Sequence, residues 1–231
     1  MAENKDGQEK THEPTAKRLL EARRKGQVPR SKELNTMALM LAGAAAMMAL
    51  GPRFAEGTYR LFSGQFTLGR KDLFDPSAML NHLASAIADA LWMLMPFFLL
   101  MMFVAVIASV ALGGINVSAE AMQPKLSKLD PIKGMKRVFS VKGLMELVKA
   151  MGKFLLVGVA TGVLLYAWSD DLVRLGDMEI QNALGEGLRM AGWASLLIAS
   201  TLIVMALIDV PFQLWQFHRD LKMTQQEGRD E

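Results

Sequence analysis

Residues 90–115 read ALWMLMPFFLLMMFVAVIASVALGGI, 26 consecutive positions without a charge. At about 1.5 Å per residue, a helix of this length exceeds the roughly 30 Å hydrocarbon layer of a bilayer. A soluble domain spaces its apolar residues periodically, whereas an uninterrupted block is the pattern of a membrane span. The block recurs outward in both directions. Residues 190–208, MAGWASLLIASTLIVMALI, give a second run of 19, and residues 34–51 give 18 before Pro52 and Arg53. Residues 154–169 offer only 16. Their helix can begin earlier, because Lys149 and Lys153 can lay their stems along it and keep their ammonium groups at the interface. The 231-residue chain is 52% hydrophobic, with mean hydropathy +0.22 and 18 Met. The expectation is an all-α membrane protein with four spans, at about 34–51, 88–115, 144–169 and 188–210, forming two hairpins.

The charges assign sides to these spans. Nine Lys and Arg lie in residues 1–33, seven in 116–149 and three after Gln213, against four in 52–86 and one in 170–187. Heavy and light segments alternate, as four spans require, so positive-inside accounting puts both termini and the central connector in the cytoplasm. A basic arm (1–33) would precede the transmembrane part (34–212, with its loop at 116–143), and 213–231 would begin a cytoplasmic linker. No signal peptide is expected, since 33 charge-rich residues precede the first apolar run. The chain has no Cys, which excludes disulfides and thiolate chemistry.

The connectors carry helix signals. Thr15 is placed to cap a helix ending near Lys25, where Arg23, Arg24 and Lys25 suit the negative dipole end and Gly26 the C′ position. Ser31 can cap the helix that becomes the first span. Held by its basic face, the arm's helix would bind anionic lipid; a solvated charged arm is the plain alternative. In KLDPIKGMKRVFS (128–140), Asp130 is a good N-cap and Pro131 a favoured first residue. Ile132, Met135, Val138 and Phe139 line one side of the resulting short helix, and Ser140 can cap the next. Lys128, Lys133, Lys136 and Arg137 supply the charge. The loop therefore reads as short amphipathic helices that rest either on lipid or against other proteins.

Three of these stretches, EKTHEPTAKRLLEARRKGQVPRSKEL (9–34), PKLSKLDPIKGMKRVFSVKGLMELVKAMGKF (124–154) and DVPFQLWQFHRDLKMTQQE (209–227), resemble the FlhB family, its flagellar branch in particular. The likeness runs along the whole chain in order. It implies a subunit of the flagellar type III protein export gate in the bacterial inner membrane. Members of that family have four membrane helices and a cytoplasmic domain that cleaves itself at Asn-Pro-Thr-His. They bind the FliP–FliQ–FliR core, with FlhA nearby, and switch export from rod and hook subunits to filament subunits. The loop that wraps the cytoplasmic entrance corresponds here to about 116–140: Lys128, Asp130, Pro131, Ile132, Lys133, Met135, Lys136, Arg137, Val138, Phe139 and Ser140. No Asn-Pro occurs in this sequence, so this chain is expected to carry the membrane portion and to perform no self-cleavage.

Other candidate residues follow from the physics of membranes. Gly43, in an Ala- and Gly-rich first span, and Gly158 and Gly162 in the third let helix backbones approach closely. Asp209, one residue after the last uncharged run, needs water or a partner; it is expected to pair with a basic group or cap a helix end in the assembled gate. The three His are far apart, and no HExxH, phosphate loop or Ser/His/Asp grouping appears, so no enzyme, cofactor or metal site is expected. Nucleic acid is not an expected partner, because the positive-inside rule accounts for the basic residues. The alternative function is a small secondary transporter or channel subunit. Transporters bring intramembrane charges and paired broken helices, whereas these span interiors are uncharged.

Overall fold

The structure, a computed structural model, describes residues 12–67, 69, 77–116, 118 and 140–224. Residues 128–139 of the central connector, including the expected contact positions from Lys128 to Phe139, lie outside the described residues. What is described is helical: α1 (Ala16–Arg24), α2 (Lys32–Phe66), α3 (Ala78–Val110), α4 (Val141–Ala167), α5 (Ser169–Arg174) and α6 (Ile180–Leu221), with a 3-10 turn at Leu175–Asp177. Four of these, α2, α3, α4 and α6, are long and apolar enough to cross a membrane. The fold class is therefore all-α, with four candidate membrane-spanning helices.

The helices overrun the uncharged stretches that define the spans. With 35, 33, 27 and 42 residues, they extend about 40–63 Å, well beyond the roughly 30 Å of hydrocarbon. Pro52 does not end α2, nor do Pro96 and Pro211 end α3 and α6. Each proline removes one backbone bond, and a long apolar run lies beside each of them in its helix. The short α5 has Asp170 and Asp171 in its first turn and Arg174 in its last, matching the helix dipole.

The chain divides into two compact units. One comprises Thr36–Ile107 and Gly158–Thr201. In it α2 runs against α3: Gly43 faces Met101, Gly57 faces Met93, and the rings of Phe54 and Phe97 meet edge-on at 6.4 Å. A Cβ on Gly57 would come within 2.4 Å of the Met93 sulfur, so glycine sets the depth of that contact. Gly192 of α6 meets Met48 of α2 in the same way. Small residues admit the neighbouring side chain where no hydrophobic drive exists between lipid-solvated helices.

The other unit comprises Met1–Asn35, Ala108–Val157 and Leu202–Glu231. It brings the arm with α1 together with the beginnings of α2 and α4 and the ends of α3 and α6. Thr15 caps α1 by accepting from Arg18 N–H, and Ser31 caps α2 by accepting from Leu34 N–H at 3.0 Å. Ser140 accepts from Gly143 N–H at the start of α4. Gly26, with φ 74°, ends α1, and Gly114, with φ 68°, closes α3 by donating to the Val110 carbonyl.

Burial within the chain is slight. Among the described residues the buried apolar side chains are mostly alanines, such as Ala44, Ala46, Ala199 and Ala206. Large residues such as Phe98, Phe103, Phe154 and Val159 stay more than half exposed. The apolar window of α4 buries none of its residues. In water such surface would drive aggregation; on these helices it is the surface a bilayer or a partner helix covers.

Candidate functional site: a charged cluster joining three helices

Asp209 follows the 19-residue uncharged run of α6 and is only 3% exposed. A carboxylate so deep requires donors, and it has three. Lys149 of α4 places Nζ 2.5 Å from Oδ1, Ser31 donates its hydroxyl to Oδ2 at 2.6 Å, and Gln213, one turn further along α6, donates Nε2 to Oδ1 at 3.3 Å. The Lys149 ammonium also lies 4.8 Å from the centre of the Phe212 ring, whose face attracts a cation. One turn along α4, Lys153 pairs with Glu33 of α2 at 2.6 Å.

Local sequence explains how each group arrives. Ser31 precedes α2 because a hydroxyl at that position satisfies an orphan N–H of the first turn. Its oxygen then accepts from Leu34 and donates to Asp209, so one side chain caps one helix and grips another. Lys149 and Lys153 are four apart and share one face of α4, opposite Asp209 and Glu33. The cluster thus joins three helices through charges that no single helix could satisfy. Among the described residues no buried side-chain nitrogen or oxygen lacks a partner.

Beside the pair an open cleft of about 320 Å³ is lined by Arg30, Lys32, Glu33, Glu146 and Gln216, among others. Both signs of charge line it, so it does not select an anion or a cation. Among the described residues no three His, Asp or Glu side chains gather as metal ligands. The chemistry of the cluster is that of a latch: it ties the start of α2 to α4 and α6.

The expected site residues fall into three groups. Asp209 is paired with a basic group, and the partner lies in its own chain. Gly43 packs against Met101 of α3. Gly158 and Gly162 have nothing within 4 Å of where a Cβ would stand, so among the described residues they face open space. Of the expected contact residues of the loop, only Ser140 is described; Lys128, Asp130, Pro131, Ile132, Lys133, Met135, Lys136, Arg137, Val138 and Phe139 lie outside the described residues. Sequence reasoning missed Ser31 and Lys149 as partners of Asp209. Lys149 read as a stem with its ammonium at the interface, and the available signal was that an ammonium and a carboxylate flank otherwise uncharged runs.

Comparison with known proteins agrees with this architecture. Residues 8–231 match the model of the FlhB HrpN YscU SpaS Family. The chain is 36% identical over 231 residues to the flagellar biosynthetic protein FlhB of Salmonella typhimurium, covering 100% of this chain and 60% of that protein. With the FlhB of Escherichia coli it shares 34% identity over 226 residues, 98% of this chain and 59% of the relative. The Yop proteins translocation protein U of Yersinia pestis is 29% identical over 230 residues, covering 96% and 62%. The chain spans about three-fifths of the length of these curated relatives. A match through all four apolar helices and the arm before them makes this chain a member of the FlhB HrpN YscU SpaS family.

Proposed function

We propose that the chain is a membrane subunit of a flagellar type III export gate and acts by binding and shaping that gate. The observation that carries this reading is the family match over residues 8–231, with relatives named for flagellar biosynthesis at 34% and 36% identity. Its partners are the FliP, FliQ and FliR family proteins, whose cytoplasmic entrance the 116–140 loop surrounds, together with FlhA, exported subunits and lipid. Both termini and that loop face the cytoplasm of the inner membrane. The reading extends to a part in the change from rod and hook to filament export.

Two features of the helices support a subunit that leans on partners. The apolar window of α4 has no buried residue, and Gly158 and Gly162 form an open notch flanked by Leu155, Val159 and Val163, each more than half exposed. Small residues beside aliphatic ones suit close helix packing in lipid. The loop carries apolar Met135 and Phe139 toward partner subunits and Lys133, Lys136 and Arg137 toward headgroups or acidic groups. Phe139→Ala in the full chain tests this directly. Loss of gate assembly and of rod and hook protein export is expected; normal assembly and export would make the loop a lipid anchor.

A further inference from the structure

A second set of long-range bonds in the unit of the arm is separate from the charged cluster, and residues 12–29 make all of it. At one end His12 and Met223 form an isolated antiparallel pair. His12 N–H donates to the Met223 carbonyl at 3.1 Å, and Met223 N–H donates back to the His12 carbonyl at 3.0 Å. Met223 is 1% exposed and Leu221 is also buried. The point where the chain leaves α6 is therefore covered where the arm pairs with it.

At the other end α1 finishes in a way that leaves a bond for a distant segment. Gly26 N–H donates to Arg23 O and Gln27 N–H to Ala22 O, both at 2.9 Å, while Lys25 N–H reaches Glu21 O. This is the Schellman arrangement, and it serves three of the last four carbonyls. The fourth, Arg24 O, accepts from the Ser118 hydroxyl at 2.5 Å, and Arg23 O takes a second bond from Asn116 Nδ2 at 2.7 Å. Gly113 adds a steric fit, since a Cβ there would stand 2.8 Å from Val28 Cβ and 3.0 Å from the Pro29 carbonyl oxygen. Residues 113–118 follow α3, so they are the root of the central loop.

We propose that residues 12–29 form a strap that couples the root of the 116–140 loop to the exit of α6. A displacement of either segment is then transmitted to the other through α1, a short helix held at both ends. A two-residue pairing outside a sheet is marginal in water, so the strap is a latch that opens rather than a permanent weld. The coupling is a property of this chain and holds whether or not the export-gate reading does.

The test is a cysteine pair, His12→Cys with Met223→Cys, in the full chain in native membranes. The chain contains no Cys of its own, so the engineered pair is the only source of an internal disulfide. Both substitutions keep the backbone groups that make the pair. Antiparallel residues that exchange both bonds have Cα atoms about 5.5 Å apart, within the roughly 4.4–6.8 Å that a disulfide spans. Mild oxidation is expected to protect both thiols from a maleimide–polyethylene glycol label in most molecules. Adding Asn116→Ala and Ser118→Ala at the far end is expected to slow that protection by roughly fivefold for each hydrogen bond lost, about 25-fold for the two. Asn116→Asp, which keeps the shape and removes the donor, should slow it in the same direction. Thiols that stay fully labelled, or a protection rate that ignores Asn116 and Ser118, would overturn the strap.

Discussion

Ser31 is bonded to Asp209 at 2.6 Å across 178 positions of sequence, and the same hydroxyl oxygen caps α2. A local capping signal and a distant buried charge thus share one atom. The first-span helix cannot start elsewhere without removing a donor from Asp209, and Asp209 in turn holds Lys149 of α4. This cluster fixes the start of α2 against α4 and α6.

Replacing one member of the buried ion pair should cost more than replacing both. Lys149→Met or Asp209→Leu alone leaves a charge without its counterpart, a loss of about 3–5 kcal/mol. The combination Lys149→Met/Asp209→Leu removes both charges and should recover much of that. Thermal unfolding of the detergent-solubilised protein, followed through its four Trp, reads the difference. Additive single effects would contradict a coupled pair.

Ser31→Ala removes a cap and a donor to the carboxylate together, and should lower stability by about 1–3 kcal/mol. Ser31→Thr keeps the hydroxyl and should fall between the parent and Ser31→Ala in the same unfolding experiment.

What the sequence made legible was whatever depends on near neighbours. Four uncharged runs announced four long helices, and Thr15, Ser31, Ser140 and Gly26 marked helix ends correctly because capping is decided within a few residues. The uncharged run stops at Pro52, but α2 continues to Phe66, past a proline whose local cost is one bond against a 35-residue helix. The acidic stretch at 170–177 hid α5 and its 3-10 turn, whose short length leaves almost no periodic signal. For Asp209 the need for a partner was visible, but Lys149 as that partner was not. The two lie 60 positions apart, and only the packing of α4 on α6 brings them together. Likewise nothing local announces that Asn116 and Ser118 finish the last turn of α1.

Gly113→Ala should loosen the arm, because its Cβ would press on Val28 and on the Pro29 backbone, which cannot yield as a side-chain tip would. Limited trypsin digestion at Arg23, Arg24 and Lys25 should become several-fold faster, the effect of weakening a local structure by about 1 kcal/mol. Gly64→Ala, with open space around it, is the matched control.

Gly158→Leu and Gly162→Leu should not lower the unfolding midpoint of the isolated chain, and the gain in helix propensity should raise it slightly, since among the described residues nothing stands within 4 Å of an added Cβ at either position. In the assembled gate the same changes should fill the notch and reduce recovery of partner subunits. A loss of stability in the isolated chain would place these glycines at an internal contact instead.

Affinity purification of the full chain from its own membranes, in mild detergent and with its associated proteins identified by mass, decides whether the chain works as a gate subunit. Several small hydrophobic export-gate proteins are expected in fixed ratio with the chain, and fewer of them when Gly158 and Gly162 carry leucine. A stable solitary oligomer that conducts a solute in liposomes would contradict that role and favour the transporter.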